Sequence, residues 1–345
     1  MGISMNFKRF QTIVQENDYD EVKVIGMDVE IDGAFMHIIA MTKSQKDSRI
    51  YILEETTPLF ELGDYAEKTP RESMKGSQQE EHSFIKTIQV HECEITVKGE
   101  HSGPIIQGDY EETFLFLVKM AKQGWSISET SPFYQREWEH LGLRVMDVEL
   151  SVDYLPDFDG PIEITMAMTF KKQLLEMPVK LEIGTAQEII FVDDVGQEVL
   201  CYLNNSMLVD VLKKEKARFD DPDYRTKILQ HCTQEELENM RQSVLETLER
   251  DCPEGMCYIT IEYECAKNVS LQFYVKQYLD TIVQPSNQCT ALFMRTRPDQ
   301  ENGPHGLKNR SVMIQYAVPK STKQIDVELF MAMWPVPERT FVVKK

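Results

Sequence analysis

The chain lacks the short motifs that mark common catalytic mechanisms. It contains no GxGxxG fingerprint, no GxxxxGK[ST] loop, no GxSxG elbow, no HExxH and no paired CxxC. These absences remove support for dinucleotide binding, nucleotide hydrolysis, the α/β-hydrolase mechanism and the commonest zinc sites. A site assembled from residues that are distant in sequence leaves no such motif, so an enzyme stays open as an alternative.

Long apolar runs and excess positive charge are also missing. The longest apolar runs, such as Phe114 to Val118, are far shorter than the roughly 20 residues that a membrane-spanning helix needs. With 57 acidic and 37 basic residues, the net charge of −20 would repel phosphate backbones and anionic lipids. We therefore expect no nucleic-acid partner, no membrane association and no secretory signal.

The cysteines are too few and too irregular to form a disulfide framework. Seven cysteines are an odd number in a chain that is too long to need covalent cross-links, so we expect reduced thiols and a cytoplasmic location. Hydrophobic residues make up 42% of the chain and charged residues 27%, as in an average globular protein. The chain is expected to fold without a cofactor.

Length and apolar periodicity predict two α+β domains. At 345 residues the chain exceeds the usual size of one domain, and we place the boundary between 1–143 and 144–345. Alternating apolar residues predict predominantly antiparallel sheets, while a central helical block over about 197–251 is expected to cover a C-terminal sheet. Similar MDVE[IL] segments starting near 27 and 146 are compatible with duplicated β-units or with chance.

Turn and capping residues predict several local structures. Asp32-Gly33 between two β-rich segments indicates a tight hairpin, which is the sharpest of these predictions. Ser131-Pro132 is typical of a helix start and Gly142 of its end, with Tyr134 and Trp138 on the inner face. Thr233 and Glu236 have the spacing of a capping box at the start of a helix. The tryptophans are most simply interpreted as core or interface residues.

One candidate metal site lies around His91, Cys93 and His101. Alternate residues of a strand share a face, so His91 and Cys93 could hold one ion, with His82 or His101 completing the site. The spacing matches no compact zinc pattern. Separate surface histidines and a buried thiol are the alternative.

A basic loop is the main candidate ligand site. The segment 295–310 carries Arg295, Arg297, His305, Lys308 and Arg310, and residues 289–345 hold nine basic and five acidic side chains in an otherwise acidic chain. Arginine could clamp a carboxylate or phosphate, and histidine could act near neutral pH. The alternative is a solvated hairpin loop whose basic groups pair with the acidic surface.

Two classes of function follow from these patterns. The first is a non-catalytic binding or protein-interaction protein, whose partner is another protein or a small acidic ligand held by the basic loop. The second is a hydrolase-like enzyme with a scattered site that includes His305 with Arg295 and Arg297. The absence of catalytic motifs favours the first, since fold class does not decide function.

Overall fold

The chain forms two compact units. A computed structural model describes residues 19–45, 47–56, 68–76, 84–105, 110–282, 296–298 and 300–343. Unit 1 comprises Met1–Gly63, His82–Thr169 and Pro337–Lys345, and unit 2 comprises Asp64–Glu81 and Phe170–Val336. The polypeptide leaves unit 1 and returns to it twice. The predicted division into domains 1–143 and 144–345 stays a prediction.

Fifteen strands are present in the described residues, and their pairing is mostly antiparallel. In chain order they are β1 (Glu21–Ile31), β2 (Ala34–Lys43), β3 (Ser48–Glu55), β4 (Ile85–Val90), β5 (Cys93–Pro104), β6 (Leu141–Leu150), β7 (Ile162–Met166), β8 (Thr169–Glu182), β9 (Gln187–Val192), β10 (Glu198–Val209), β11 (Met256–Cys265), β12 (Ser270–Val275), β13 (Asn309–Pro319), β14 (Gln324–Val336) and β15 (Arg339–Val343).

The helices are short by comparison. They are α1 (Pro70–Gly76), α2 (Tyr110–Lys122), α3 (Val211–Asp220), α4 (Pro222–Ile228), α5 (Gln234–Asp251) and α6 (Lys276–Leu279), with one 3₁₀ turn at Trp138–His140. Among the described residues, none of these helices combines the length and the apolar character that crossing a membrane requires.

The predicted α+β class is wrong, because the chain is mostly antiparallel β. Of the described residues, 50% lie in strands and 20% in helices. The predicted helical block over about 197–251 begins with strand β10, in which Val199, Cys201 and Leu203 alternate with more exposed neighbours and are almost completely buried. Both faces of this strand carry apolar residues, so their spacing fits a helix as well as a strand. The alternating burial within the sheet shows that the segment is a strand.

Unit 1 is built on one curled sheet of eight strands, in the order β1-β2-β3-β6-β5-β4-β7-β15. The predicted hairpin at Asp32-Gly33 is confirmed. Both residues have positive φ, 52° and 81°, as a two-residue turn of type I′ requires, and Ile31 pairs with Ala34. Arg339 in β15 forms an ion pair with Asp32 at 2.5 Å, so the first and last strands of the sheet approach each other.

The two MDVE[IL] segments occupy different places in this sheet. The first ends β1 and enters the hairpin with β2. The second ends β6, which pairs with β3 and β5. Within the described residues the second segment therefore forms no hairpin equivalent to the first, and duplication stays a prediction.

Both faces of the central strands of unit 1 are buried. One face fills the inside of the curl with residues such as Ile38, Ile52 and Met146. The other face of β2, β3 and β6 lies under α2, where Phe116 stacks on Tyr51 with ring centroids 3.9 Å apart. The sheet residues Ile39, Leu53, Leu143 and Val145 form a separate apolar cluster with residues of the cover, which are Phe116, Leu117, Met120 and Phe133.

Unit 2 is a sandwich of two antiparallel sheets. The strand orders are β13-β11-β10-β9 and β12-β14-β8. Their inward side chains form one core, which includes Leu181, Val199, Leu203, Ile259, Ile261, Leu271, Phe273 and Leu329. The N–H of Leu271 in β12 donates to the hydroxyl of Tyr263 in β11 at 2.8 Å, so a buried hydrogen bond links the two sheets.

Helices pack on the outer faces of the unit 2 sandwich. Helices α3 and α5 contribute Leu212 and Leu248 to a small apolar cluster around Tyr258. The predicted capping box at the start of α5 is confirmed, since Thr233 and Glu236 bond each other's backbone N–H groups. These helices extend the sandwich and do not form a separate layer around which the unit is built.

A single arginine holds α1 to the other side of unit 2. Arg71 contacts Glu176 at 2.8 Å, Asp280 at 2.7 Å and Glu328 at 2.8 Å. Its hydrogen bonds to Glu328, Asp280 and Glu176 raise the pKa of Arg71 above its ordinary value. Three carboxylates from β8, β14 and the end of α6 therefore meet at one guanidinium, whose five donors suit several acceptors at once.

The expectation of seven reduced thiols is wrong for one pair. Cys201 in β10 and Cys265 in β11 face each other directly across the sheet and form a disulfide. Cys93, Cys252 and Cys257 are free and buried, and Cys232 is free and partly exposed. Sequence spacing could not reveal this disulfide, because register between two strands 64 residues apart decides which cysteines meet.

Peptide mapping after alkylation of the folded protein, without reductant, should find Cys201 and Cys265 linked and unmodified. Burial raises the pKa of Cys252 to about 11 and that of Cys257 above its ordinary value, so at about pH 8 both thiols stay protonated and unreactive. Among the described free cysteines, Cys232 should react first. Alkylated Cys201 from protein that was never reduced would contradict the disulfide.

Candidate functional site

The basic loop does not gather its charged side chains at one cavity. Arg295 lies outside the described residues. Arg297 is exposed and lines a cavity of about 530 Å³ between β12 and β13. Of the described members of the predicted site, Lys308 and Arg310 do not line this cavity; Arg310 instead donates to Asn268 Oδ1 at 2.6 Å.

His305 is occupied by contacts within unit 2. Its ring stacks on Tyr202 with centroids 3.6 Å apart and planes 9° apart. Its backbone N–H donates to Glu264 Oε2 at 3.0 Å, and the N–H of Leu307 donates to Glu264 Oε1 at 2.7 Å. The loop that was predicted to bind an external anion therefore wraps around a carboxylate of its own chain.

Glu264 is completely buried and remains an anion. Burial opposes its ionisation, but the N–H groups of His305 and Leu307 and the amide of Asn204 outweigh burial and hold the pKa of Glu264 below its ordinary value. A Cβ atom on Gly303 would lie 2.4 Å from the Glu264 carboxyl carbon, so only glycine allows the loop to approach this closely. Recognition of a small acidic ligand by this loop stays a prediction.

The candidate metal ligands lie apart. Cys93 is buried in the core at the start of β5, whereas His91 is half-exposed in the preceding turn and bonds Asp159 at 2.7 Å. His101 is eight residues further along β5, roughly 26 Å at the rise of a strand. His82 lies outside the described residues. Among the residues that the structure does describe, no group of three or more His, Cys, Asp or Glu side chains could hold a metal.

An apolar pocket is lined by residues of unit 1. Its volume is about 310 Å³, and it opens beside α2 and the segment 125–138. Leu53, Leu117 and Leu141 belong to its apolar walls. The lining also includes four aromatic side chains and one arginine, which are Trp125, Phe133, Tyr134, Trp138 and Arg136. We call this cavity the aromatic pocket.

The segment that forms the mouth of this pocket was predicted to be a helix from Ser131 to Gly142, and this prediction is wrong. The Ser131 side chain accepts the N–H of Phe133 at 3.3 Å, as at a helix start. The backbone bonds that follow, from Tyr134 N–H to Ser131 O and from Arg136 N–H to Phe133 O, each span three residues, so the chain forms turns and not an α-helix. Only Trp138–His140 forms a 3₁₀ turn, and Leu141 already begins β6.

The predicted inner face of that helix is largely open to solvent. Tyr134 is 50% exposed and Trp138 is 47% exposed, whereas Phe133 is 2% exposed. The irregular chain turns Phe133 into the apolar cluster under α2 and leaves the two other rings at the surface. These exposed rings are large aromatic groups whose burial is incomplete in the described structure.

A hydrogen-bond chain through the buried His37 holds Trp125 in the pocket wall. The indole N–H of Trp125 donates to His37 Nε2 at 3.0 Å, and His37 Nδ1 lies 2.7 Å from Asp28 Oδ1. Because an indole N–H only donates, we assign the His37 proton to Nδ1, which donates to Asp28. Ser131 Oγ donates to the same Asp28 oxygen at 3.0 Å, so one carboxylate anchors both ends of the segment 125–131.

Sequence reasoning missed this pocket because no motif marks it. Gly124 at the end of α2 has φ +96°, and Trp125 N–H bonds Met120 O at 3.0 Å, so the chain turns sharply at the helix end. The sequence contained one usable signal, which is the presence of two tryptophans, a phenylalanine and a tyrosine within 125–138. Only the fold shows that these residues border a cavity.

Glu264→Gln should lower the free energy of unfolding at neutral pH by roughly 1–3 kcal/mol, because one amide NH₂ would face donors where a carboxylate oxygen now accepts. Because the pKa of Glu264 is depressed in the folded protein, its carboxylate stabilises the fold above the ordinary pKa. This stabilisation is lost as the pH falls below about 4, so the stability of the variant should depend less on acid than that of the wild type.

Urea denaturation at about pH 7 and about pH 3 measures both effects on Glu264→Gln. Glu262→Gln, on the same strand, is the matched control, since no hydrogen bond or ion pair of this side chain occurs within the described residues. Equal stability and equal acid dependence of the two variants would contradict the role of Glu264.

His37→Phe and Trp125→Phe should show an energetic coupling of about 1 kcal/mol in a double-mutant cycle, because each variant removes one partner of the same buried hydrogen bond. Each single variant leaves a buried polar atom unpaired and should lower stability. Urea denaturation of the four proteins gives the coupling. Strictly additive effects would show that the bond does not hold Trp125.

Comparison of the chain with models of protein families, with curated proteins and with solved structures finds no match. No relative therefore assigns an activity or a ligand to the aromatic pocket. Its function has to be argued from its shape, lining and charge.

Proposed function

We propose that the chain is a non-catalytic binding protein whose aromatic pocket receives an apolar side chain of a protein partner. The observation that carries the proposal is the combination of a preformed apolar cavity of about 310 Å³ with half-exposed Tyr134 and Trp138 at its edge. Cavities of this kind are the usual place for a ligand group.

The composition of the pocket is that of a protein-binding hot spot. Tryptophan, tyrosine and arginine are the residues enriched at energetic centres of protein interfaces, and Trp138, Tyr134 and Arg136 stand together here. Aromatic rings supply large contact areas while losing little side-chain entropy. A partner that covered Tyr134 and Trp138 would remove from water the aromatic surface that the fold leaves exposed.

The chemistry of the lining favours binding over catalysis. The described lining residues include no histidine, cysteine, aspartate or glutamate. His37 lies behind Trp125 and is 2% exposed, and both of its ring nitrogens are engaged. Ser131 and His37 both bond Asp28, so these residues lack the serine to histidine contact that would activate a nucleophile.

Trp138→Ala and Ala121→Trp should each weaken binding of the neutral fluorescent probe N-phenylnaphthylamine by about tenfold or more. The first removes an aromatic wall, and the second places a large ring at a lining position of α2. Fluorescence titration gives the dissociation constants. Trp138 is half-exposed, so its truncation should leave the free energy of unfolding within about 0.5 kcal/mol of the wild type.

Phe114→Ala is the matched control for this experiment. Phe114 lies on α2, as Ala121 does, and it is 43% exposed. It is not among the described lining residues, so its loss should leave probe binding unchanged. If Trp138→Ala and Ala121→Trp bound the probe as tightly as Phe114→Ala, the aromatic pocket would not be a binding site.

A further inference from the structure

We propose that the partner segment recognised by the aromatic pocket is basic, with lysine or arginine next to its apolar anchor. This inference rests on the binding function proposed above and specifies the chemistry of the partner. It commits to one occupant, a segment of another protein. The argument comes from the charges that border the pocket.

Two exposed glutamates are the chain neighbours of Trp138, an exposed residue of the pocket lining. Glu137 and Glu139 stand on either side of Trp138, and all three side chains are exposed. Within the described residues, neither glutamate has an ion-pair or hydrogen-bond partner for its side chain. A third exposed glutamate, Glu129, lies in the same mouth segment and is likewise unpaired there.

The positive charge in the lining is already neutralised. Arg136 Nη2 forms an ion pair with Glu55 Oε1 at 2.6 Å, and both side chains are about half-exposed. Lys122, next to the lining residue Ala121, is exposed and offsets one of the three glutamates. The segment 129–139, which contributes Tyr134 and Trp138 to the lining, therefore carries exposed, unpaired negative charge close in sequence to these rings.

An aromatic face with nearby carboxylates suits a cationic side chain. A guanidinium or ammonium group over the Trp138 ring would gain a cation–π contact and attraction to Glu137 and Glu139. The net charge of −20 on the whole chain would also steer a basic partner toward it and would repel a second copy of the chain or an acidic segment.

Fluorescence anisotropy of labelled peptides with the full chain tests the inference. Three peptides share a central Phe-Leu anchor and differ only in the flanking residues, which are lysine, glutamine or glutamate. At about 50 mM salt the lysine peptide should bind about tenfold more tightly than the glutamine peptide, and the advantage should shrink at about 500 mM salt. The glutamate peptide should bind most weakly.

The double variant Glu137→Gln/Glu139→Gln should remove most of the advantage of the lysine peptide and leave the glutamine peptide unchanged. The matched control is Glu30→Gln/Glu163→Gln, which changes the net charge equally at two exposed strand positions that are not among the described lining residues. This control should keep the advantage.

The outcomes separate the two proposals. If all three peptides bind equally and lose affinity in Trp138→Ala, the basic partner is overturned and the binding pocket stands. If the lysine peptide lost its advantage equally in both glutamate double variants, the basic partner would also be overturned, because net charge alone would then explain the preference. If no peptide binds and the neutral probe is indifferent to Trp138→Ala, the proposed function itself fails.

Discussion

The structure of unit 1 depends on a sheet whose central strands are apolar on both faces. Strands β2, β3 and β6 bury one set of side chains inside the curl and a second set, including Tyr51 and Leu53, on the outside. A strand face of this kind cannot be left in water, so the chain must supply a cover. Helix α2 and the segment after it form that cover, and the aromatic pocket lies where the two meet the sheet.

The cover is held by polar contacts as well as by apolar packing. Asp28 projects from β1 to receive both His37 and Ser131, and His37 in turn receives the Trp125 indole. His37 and Ser131 are buried, so each is costly to leave unpaired, and their contacts with Asp28 and Trp125 specify one arrangement of the cover. Glu264 has a similar role in unit 2. Three N–H groups donate to its carboxylate, and two of them belong to the loop from Gly303 to Leu307, so these bonds hold the loop in place.

Sequence patterns predicted the structures that local chemistry decides, and they failed where distant contacts decide. The Asp32-Gly33 turn and the Thr233 capping box depend on neighbouring residues, and both predictions were confirmed. Strand β10 was assigned to a helix because its leucines fit both periods, and only pairing with β9 and β11 resolves them. The aromatic pocket and the partners of Glu264 are assembled from distant residues, so no local pattern could reveal either of them.

The return of the chain to unit 1 has a consequence for how the protein is made. On a ribosome, β7 emerges early, but its neighbour β15 follows only after the whole of Phe170–Val336. Until then β7 keeps an open edge of backbone donors and acceptors, the kind of surface that pairs with other nascent chains. The Arg339–Asp32 contact between the sheet's two ends is also among the last to form. Completion of the curl therefore waits until β15 has left the ribosome, and molecular chaperones would have their greatest effect in the interval before it.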